Sequence, residues 1–406
     1  MSVLGLILTS NAESGGRGKT MQPHACKIGS IKAIQEHILV PGESHEGLWL
    51  GPVLLCKPAT PPEDLRLFFA VSDRRGGDSV QRLIYFIAGA PPDNPEAFST
   101  WHKTWRRADH PDALHEKVDS QGFRFVPTFN WKFHPASGKA IAFGHVLRHR
   151  GKQLSKHLEH LAISYAVYDP ANGTFAPWKS FRVAVDGRER PCVAYGQRVD
   201  LSNGEILLPF STIKKLDGWE SIRWCGSARC RFDGETIDVI ETGNLVTHPK
   251  PRGFVEPSMA EHNGVFYMTL RAQDGHSHVT TSKDGLRWKQ PRPWCWDNGD
   301  PIAMDQTMTK FIRRAEGLFL VYTRITGKNT NVFRHRAPLF IAEIDPDSVR
   351  LVRRTESTLL ANNGFPLGNF GVTEVSPCET WVTAPEWDRG GKEIPCDNRL
   401  ARVLWR

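Results

Sequence analysis

Most of the chain consists of short runs rich in apolar residues, separated by Gly, Pro, Asn and Asp. The clearest example is the segment 255–288, VEPSMAEHNGVFYMTLRAQDGHSHVTTSKDGLRW. Its Asn263-Gly264 pair stands between two such runs and favours a tight β-hairpin, because both turn positions take positive φ. The pattern predicts antiparallel β-structure, with a short strand at Glu256, a strand that ends at Arg271, a third strand and a closing turn.

Similar four-strand groups recur along the chain at a period of roughly 50 residues, which is typical of repeat architectures. In several groups a Gly-containing turn joins the first two strands, at Gly138, Gly204, Gly264 and Gly317. Repeated four-stranded groups are typical of a β-propeller, in which each blade buries a face that it cannot bury alone. We predict an all-β fold, a six-bladed β-propeller with four-stranded antiparallel blades. Five or seven blades are the alternatives.

The last of these groups lacks one strand. Residues 31–40, IKAIQEHILV, have a strand pattern, and we expect them to complete the sixth blade by pairing the N-terminus with the end of the chain. Residues 1–27 are predicted to form a disordered or flexible tail, and residues 28–406 a single propeller domain. The tail has a brief apolar run without a basic segment before it, so a degenerate signal peptide is the alternative.

Composition and charge narrow the possible partners. The chain has 406 residues, of which 40% are hydrophobic and 24% charged, as in ordinary globular proteins. Its formal charge of +8 suits an anionic partner such as an acidic sugar, a nucleic acid or a lipid surface. The Lys and Arg residues are spread along the chain without a basic stripe, so we expect no nucleic acid partner. No apolar stretch reaches the ~18 residues of a membrane span, so we expect no membrane partner.

The eight cysteines show neither a C-x-x-C pair nor the Cys/His spacing of a zinc site. Cys225 and Cys230 are five residues apart, which directs them to opposite faces of a continuous strand. We expect mostly reduced core thiols, which favours a cytoplasmic protein over a secreted or periplasmic one. We predict no metal and no cofactor, although a cluster of His with a carboxylate could hold a divalent ion.

Polar residues at strand ends are the candidates for a functional site. Glu256 and Arg271 end adjacent strands, so a register that joins these ends puts a carboxylate beside a guanidinium; a structural ion pair is the alternative. Other polar residues near strand ends are expected to line a central funnel that binds a sugar by stacking and hydrogen bonds. They are His45, Trp49, Arg198, Gln306, Tyr322, Arg324, Arg334, His335, Arg336 and Asn369.

Around Glu256-Pro257, the strand that ends at Arg271, and the box SKDGLRW at 282–288, the sequence resembles the sialidase (neuraminidase) superfamily. The box is similar to the Asp-box of that superfamily, one residue shorter before its Trp, and an Asp-box implies fold rather than catalysis. The resemblance implies that Glu256 is the sialidase glutamate and Arg271 one arginine of its substrate-binding triad.

The same resemblance implies further site residues, less closely matched. They are Arg334 or Arg336 for another triad arginine, Arg74 or Arg75 for the first one, and Asp73 or Asp78 for the acid/base aspartate. Three guanidinium groups around one cleft suit a carboxylate substrate, because planar Arg forks hold carboxylates bidentately.

One position departs from the superfamily. Sialidases use a tyrosine nucleophile, and Phe370 stands where the resemblance places that tyrosine. A phenyl ring has no oxygen to attack an anomeric carbon. Tyr195 or Tyr322 could supply a hydroxyl. A histidine could instead act as general base, for attack by water or for β-elimination from a uronate; the candidates are His45, His134, His145 and His335.

We predict a sialidase-like glycoside hydrolase that acts on an acidic or polar glycan. The predicted catalytic residues are Glu256, Asp73, His335 and Tyr322. The alternatives are a polysaccharide lyase acting on uronate-containing glycans, a catalytically silent carbohydrate-binding propeller and a protein-interaction scaffold. An enzyme should show perturbed titratable groups that converge on the funnel, whereas a binding protein should show aromatics and arginines without an acid/base pair.

Overall fold

The computed structural model describes residues 31–41, 46–48, 53–56, 66–73, 83–108, 114–150, 159–185, 188–190, 192–194, 196–213, 222–315, 317–387 and 397–406. Strands hold 53% of the residues and helices 6%, which confirms the all-β prediction. Six antiparallel four-stranded blades form a ring, so the six-bladed propeller is confirmed as well. The predicted tail, residues 1–27, lies outside the described residues.

The first three blades follow β1 (Ile31–Val40) along the chain. Blade one contains β2 (Glu46–Leu48), β3 (Val53–Leu54), β4 (Leu67–Asp73), β5 (Leu83–Ala88) and, after the short helix α1 (Phe98–Trp101), β6 (Arg106–Arg107). Blade two contains β7 (Lys117–Val118), β8 (Phe123–Pro127), β9 (Asn130–His134), β10 (Lys139–Phe143), β11 (Val146–Arg150), β12 (Glu159–Asp169), β13 (Thr174–Phe175) and β14 (Lys179–Phe181). A separate hairpin, β15 (Val183–Val185) and β16 (Arg188–Arg190), leads to blade three, which contains β17 (Cys192–Val193), β18 (Val199–Asp200), β19 (Ile206–Ile213), β20 (Arg223–Phe232), β21 (Ile237–Thr242) and β22 (Val246–Thr247).

The last three blades are more regular. Blade four contains β23 (Val255–His262), β24 (Val265–Arg271), β25 (Ser277–Ser282) and β26 (Arg292–Pro293). Blade five contains β27 (Lys310–Arg313), β28 (Leu318–Tyr322), β29 (Leu339–Asp345), β30 (Arg350–Leu351) and β31 (Ser357–Leu360). Blade six contains β32 (Gly371–Ser376), β33 (Glu379–Pro385) and β34 (Asn398–Trp405), and β1 supplies its fourth strand.

The first strands of the blades surround the central axis, where they line a cavity of about 380 Å³. Successive strands of a blade run in opposite directions. We call one end of the ring the upper face. It is the end at which the first and third strands of each blade begin and the second strands end. The predicted hairpin turn of blade four lies at the opposite end, with φ of 51° at Asn263 and 75° at Gly264, as expected for an Asn-Gly turn.

The core lies between the blades rather than inside them. Six clusters of buried apolar residues fill the six gaps between neighbouring blades. Strand β19 shows why, because all eight of its residues are buried. Leu207 packs in the cluster shared with blade four, whereas Ile206 and Leu208 pack in the cluster shared with blade two. Successive side chains of a strand point to opposite faces, so each blade needs a neighbour on both sides.

Strand β1 closes the ring as the sequence predicted. It pairs antiparallel with β34 from Ile31 opposite Trp405 to Val40 opposite Asn398. Arg399 reinforces this closure: its guanidinium donates to Glu36 of β1, to Glu386 of blade six at 3.1 Å and to the Ala361 carbonyl at 2.7 Å. The first and last parts of the chain are thus joined by backbone pairing and by a buried charge network.

Blade two has more strands than the other blades. The runs FRFVPTFNWKFHP and KAIAFGHVL are each divided into two strands, β8 with β9 and β10 with β11. The breaks face each other, because a Cβ added at Gly144 would stand 1.9 Å from the Thr128 carbonyl oxygen. Only glycine allows this close backbone approach. Beyond the break β8 still pairs with β11, and β11 pairs with the first residues of the long strand β12.

The described cysteines fit the expectation of mostly reduced core thiols in part. Cys192, Cys225 and Cys230 are buried and form no disulfide. Cys378, however, takes part in a disulfide bond. Disulfides persist mainly in oxidising compartments, so this bond counts against the cytoplasmic location, which stays a prediction. Among the described residues, no helix has the length and apolar character needed to span a membrane.

The closure network gives a stability prediction. Arg399→Met removes a guanidinium whose side chain is 2% exposed and breaks its ion pair with Glu386, itself 4% exposed. We expect a loss of about 3 to 5 kcal/mol in the free energy of unfolding, because removing one partner of a buried ion pair removes a charge that offsets the burial of the other. Urea unfolding, monitored by tryptophan fluorescence, measures this loss.

The matched control is Arg231→Met, which breaks the exposed pair between Arg231 and Glu205. We expect it to cost less than about 1 kcal/mol, because solvent screens an exposed ion pair. Equal losses in the two variants would show that Arg399 does not secure the ring.

Candidate functional site

An ion pair at the upper face of blade four is the centre of the candidate site. Glu256 begins β23 and Arg271 ends β24, and the backbone pairs Val255 with Arg271. Arg271 Nη1 donates to Glu256 Oε1 at 2.7 Å. The predicted register and ion pair are therefore confirmed. The Arg271 side chain is 8% exposed and that of Glu256 30%, but the Glu256 Oε2 atom is buried and has no hydrogen-bond partner among the described residues.

The backbone at Glu256 is irregular. Glu256 has a φ of 52°, and the register shifts between Val255 and Ser258, so two residues, Glu256 and Pro257, stand opposite one residue of β24. A bulge of this kind redirects a side chain. Positive φ is costly for a residue with a Cβ and is often found at functional sites. The bulge turns Glu256 out of the strand ladder and towards Arg271.

Two more arginines reach this face because the backbone of one strand nearly touches the loop before β23. Arg223 begins β20, and its backbone bonds with the loop on both sides: Arg223 N–H donates to the Arg252 carbonyl at 3.1 Å and Phe254 N–H donates to the Arg223 carbonyl at 3.2 Å. A Cβ at Gly253 would stand 2.1 Å from the Arg223 carbonyl oxygen. Gly253 is thus required to bring Arg223 and Arg252 together.

The loop between β28 and β29 supplies two further arginines and a histidine. It contains a 3-10 turn, Phe333–His335, in which Arg334 and His335 take left-handed φ of 51° and 50°. The His335 Nδ1 atom lies 3.3 Å from Asp305 Oδ2, and both side chains are about one-quarter exposed. The loop therefore presents Arg334, His335 and Arg336 at the upper face, beside an aspartate from the segment before β27.

The charges of these residues act on one another. Burial by itself would raise the pKa of Glu256, but the Arg271 charge and hydrogen bond, with the charges of Arg336 and Arg252, hold that pKa below its usual value. Glu256 is therefore ionised at neutral pH. Burial and the positive charges of Arg271 and Arg223 together lower the pKa of Arg252 to about 10, although the Glu256 charge acts to raise it. The neighbouring arginines therefore repel Arg252 more than Glu256 attracts it.

Lys310 joins the group from the adjacent blade. It is the first residue of β27, is 3% exposed and lies on the wall of the central cavity. Its Nζ is 5.9 Å from the centre of the Phe370 ring. Burial lowers the pKa of Lys310 to about 7, although the Glu256 charge acts to raise it. The cavity therefore contains an amine that can gain or lose a proton near neutral pH.

Tyr322 and Arg324 are engaged elsewhere. The Tyr322 hydroxyl donates to Glu356 Oε1 at 2.6 Å, and Arg324 holds the same carboxylate through Nε at 2.8 Å and Nη2 at 2.7 Å. Tyr322 is fully buried, and burial raises the pKa of its hydroxyl. Their polar atoms stabilise blade five, and we leave both residues out of the proposed catalytic group.

Arg198, His134 and His145 also make structural contacts. Arg198 is 5% exposed and bonds Asp200 and the carbonyls of Ile141 and Lys132. Both His134 ring nitrogens are within hydrogen-bond distance of blade atoms, Ser137 Oγ at 2.9 Å and the Gly204 carbonyl at 3.1 Å. His145 is within 3.1 Å of Thr128 Oγ1 at the break in blade two. None of these contacts involves Glu256.

Residues before β27 and β32 lie at the upper face with partly exposed side chains. Gln306 follows Asp305, whose carboxylate accepts the Gln306 backbone N–H at 2.7 Å. Asn369 precedes Phe370, which is 2% exposed and packs in the core between blades five and six. The position expected for a nucleophile therefore holds a core side chain.

Several predicted site residues lie outside the described part of the molecule. They are His45, Trp49, Arg74, Arg75, Asp78 and Tyr195. Asp73 ends β4. Because β4 is the second strand of its blade, its end lies at the upper face, at the position that Arg271 has in blade four.

Sequence reasoning missed Arg223, Arg252 and Lys310. The first two lie next to apolar or glycine residues in segments without a motif, and only the contact through Gly253 brings them to Glu256. Among the described residues, one group could hold a metal ion: His248, Asp274 and His278, also at the upper face. It too carries no spacing motif in the sequence.

Comparison with solved structures relates the fold to known propellers. A protein of unknown function from Dyadobacter fermentans aligns with a TM-score of 0.61 and 12% identity, over 93% of this chain and 100% of its own. The Trypanosoma rangeli sialidase in complex with sialic acid aligns with a TM-score of 0.56 and 13% identity, over 89% of this chain and 54% of its own. A mutant NanB sialidase from Streptococcus pneumoniae aligns with a TM-score of 0.56 and 13% identity, over 90% of this chain and 69% of its own.

These likenesses establish the fold: a six-bladed β-propeller of the kind that sialidases have. This chain spans about half the length of the Trypanosoma rangeli sialidase. Neither a protein-family model nor a curated protein sequence matches it. Any inference about chemistry must therefore come from the Glu256 site itself.

The lowered pKa of Lys310 gives a pH-dependent prediction. The unfolded chain keeps the lysine proton up to its ordinary pKa of 10.5, so between pH 7 and 10.5 the unfolded state binds more protons and stability rises with pH. We expect Lys310→Met to stabilise the protein at pH 6 by on the order of 2 kcal/mol, and this gain to shrink towards pH 10.

Urea unfolding of both proteins at several pH values measures the difference. The matched control is Lys289→Met, which changes an exposed lysine and should leave the pH dependence as in wild type. A gain that stays constant from pH 6 to pH 10 would mean that Lys310 keeps its proton in the folded state.

Proposed function

We propose that the protein is a sialidase-like glycoside hydrolase that acts on a glycan through an acidic sugar bound at the upper face. The observation that carries this proposal is the ion pair of Arg271 with Glu256, in the company of further arginines. The charges of Arg223, Arg252 and Arg336 also act on Glu256, and that of Arg334 acts on Arg252. The groups come from blades three, four and five and the loops between them. The sialidase fold supports the same choice at the level of architecture only.

A carboxylate is the substrate group that this arrangement favours. Guanidinium groups hold carboxylates through paired hydrogen bonds, and the positive field that lowers the pKa of Arg252 would be relieved by a bound anion. Arg271 is fixed by Glu256, so one of its nitrogen atoms is used and the others remain to face a ligand. We assign Arg271 and Arg336 to the substrate carboxylate and Arg334 to the edge of the same pocket.

Glu256 holds Arg271 in place and keeps the pocket from being purely cationic. The proton-transfer group that we propose is His335. Because Asp305 lies beside Nδ1, the proton of the neutral ring belongs on Nδ1, and Nε2 has the lone pair of a general base. Asp73, at the end of β4, is our proposal for the acid that protonates the leaving group.

The attacking group that we propose is water. Phe370 has no oxygen, and the Tyr322 hydroxyl is held by Glu356, so neither side chain is placed to form a glycosyl-enzyme bond. Water activated by His335 would attack the anomeric carbon directly. Direct attack inverts the anomeric configuration, whereas a covalent intermediate would retain it.

We also propose that the turn at 282–288 is a shortened Asp-box. Asp284 Oδ1 accepts the backbone N–H groups of Leu286 at 2.9 Å and Arg287 at 2.7 Å, and Trp288 Nε1 donates to Ser227 Oγ of blade three at 2.9 Å. An aspartate that caps its own turn and a tryptophan that packs between blades are what such a box needs. This turn supports kinship with sialidases and has no part in catalysis.

A carbohydrate-binding propeller without activity is the second candidate. The observation in its favour is that the position where the resemblance places the tyrosine nucleophile holds Phe370, a buried phenyl ring without an oxygen. The arginine cluster would bind an acidic sugar equally well in such a protein. Activity on a substrate panel separates the two functions.

The first test is incubation with sialosides, uronate-bearing polysaccharides and other acidic oligosaccharides. We expect new reducing ends without the ultraviolet absorbance of unsaturated uronates. We also expect Arg271→Met and Glu256→Gln to lower kcat/KM by about 100-fold or more, because each leaves the other group buried without its partner. Arg231→Met, which removes an exposed charge far from the site, should keep wild-type activity.

Rising ultraviolet absorbance would identify a lyase. A binding protein would be identified by two results together. No substrate of the panel would be cleaved, and an acidic sugar would bind saturably to wild type but not to Arg271→Met. Circular dichroism of each variant must match wild type, so that a loss of activity reports the site and not the fold.

The stereochemistry of the product tests the water mechanism separately. We expect the first product observed by proton NMR to have the anomeric configuration opposite to that of the substrate, before mutarotation. We expect His335→Asn to reduce kcat much more than KM, because the ring acts in the chemical step. A retained configuration would contradict direct attack by water and would require a nucleophile from the protein.

A further inference from the structure

We propose that His248, Asp274 and His278 form a binding site for a divalent transition-metal ion such as Zn²⁺, and that this ion ties the loop that carries Arg252 to the loop that follows Arg271. The proposal does not depend on the hydrolase function. The three residues come from two separate parts of the chain: His248 follows β22, whereas Asp274 lies between β24 and β25 and His278 lies in β25.

The side chains converge on one point. The Asp274 Oδ2 atom lies 3.4 Å from His248 Nε2 and 3.4 Å from His278 Nε2, and one ligand atom from each residue lies within 4.8 Å of the others. The three side chains are 16%, 10% and 5% exposed, in chain order. Two imidazoles and one carboxylate directed at a shared, nearly enclosed point are a donor set that suits Zn²⁺ and its neighbours in the first transition row.

The two distances from Asp274 to the histidines are compatible with a shared ion. An N–H···O bond is usually 2.7 to 3.2 Å long. Ligand atoms about 2.0 to 2.1 Å from a tetrahedral ion lie about 3.4 Å apart. The two observed separations of 3.4 Å match the edge of such a tetrahedron.

The surroundings hold these side chains in place. The Asp274 Oδ1 atom accepts the His276 backbone N–H at 3.1 Å, which leaves Oδ2 directed at the two histidines. The Phe254 ring lies 5.5 Å from the His248 ring and 5.0 Å from the His278 ring, centre to centre. Among the described residues, the buried Nδ1 atom of His278 has no hydrogen-bond partner, so the polar partner of this ring lies on its Nε2 side, where Asp274 stands.

One hydrogen bond must change when the ion binds. His248 Nδ1 accepts the Lys250 backbone N–H at 3.2 Å, whereas an imidazole that binds metal through Nε2 carries its proton on Nδ1. Metal binding therefore moves the proton of His248 and releases the Lys250 amide. A single long hydrogen bond contributes far less than a metal–imidazole bond, so this exchange favours the ion.

The site lies next to the arginine cluster along both chain segments. Asp274 follows Arg271 by three residues, and Leu270 is paired with His278 across the strands. His248 opens the loop that contains Arg252 and Gly253. An ion at this point would hold the Arg252 loop against the end of β24 and so fix the spacing of the two guanidinium groups.

The test is metal uptake by the full chain after treatment with a chelator and dialysis into metal-free buffer. Equilibrium dialysis with Co²⁺ should show one ion more per chain in wild type than in Asp274→Asn, with visible ligand-field absorption in wild type only. Zn²⁺ should raise the melting temperature of wild type and leave that of Asp274→Asn unchanged.

The matched control is His276→Asn. His276 lies in the same loop, but its Nδ1 is 2.9 Å from the Ile302 carbonyl and takes no part in the group. This variant should take up the ion as wild type does. His248→Asn is a second test variant, because His248 is the most exposed of the three and its replacement is the least disruptive to folding.

Loss of the ion in His248→Asn and Asp274→Asn, with retention in His276→Asn, supports the site. Equal uptake by wild type and both test variants would overturn it, as would the absence of bound Co²⁺ in wild type. In that case the three side chains form only a hydrogen-bonded group.

Discussion

The structure depends on closure of the ring. Each blade is apolar on both faces, as the fully buried strand β19 shows, and a sheet of this kind is stable only between two neighbours. The last blade obtains its neighbour and its fourth strand from the start of the described chain, through β1 on β34. Arg399 adds a buried link to Glu36 and Glu386 at that junction. If the ring were not closed, blades one and six would expose the apolar faces that they now share.

A closed ring also explains how several positive charges can be held at one place. Guanidinium groups repel one another, and burial lowers the pKa of Arg252 and of Lys310. No local interaction would gather them. The six apolar clusters between blades fix the strand ends from which these residues project, and the energy of that packing offsets the repulsion. The unfavourable charge arrangement is then available to a bound anion, which is why we place function at this face.

Some parts of the site were predictable and others were not. The Asn263-Gly264 turn fixes the hairpin register, and from that register the contact of Glu256 with Arg271 follows. The sequence could not indicate the bulge at Pro257, which aims Glu256. It also gave no sign that Tyr322 would bond Glu356 or that Arg198 would bond the Ile141 carbonyl, because those partners are distant in the chain. A polar residue at a strand end has the same local sequence pattern whether it belongs to a functional site or makes a structural contact.

The sequence by itself determined the strand periodicity, the four-strand repeat and the hairpin turns, because these depend on the alternation of side chains and on residues that accept positive φ. It also determined that the first strand completes the last blade. Only the tertiary structure decided which charges meet. Arg223 and Arg252 are joined by the close approach at Gly253, and His248 reaches Asp274 through the packing of two loops around Phe254. Such contacts depend on the distance between blades, which no local pattern in the chain records.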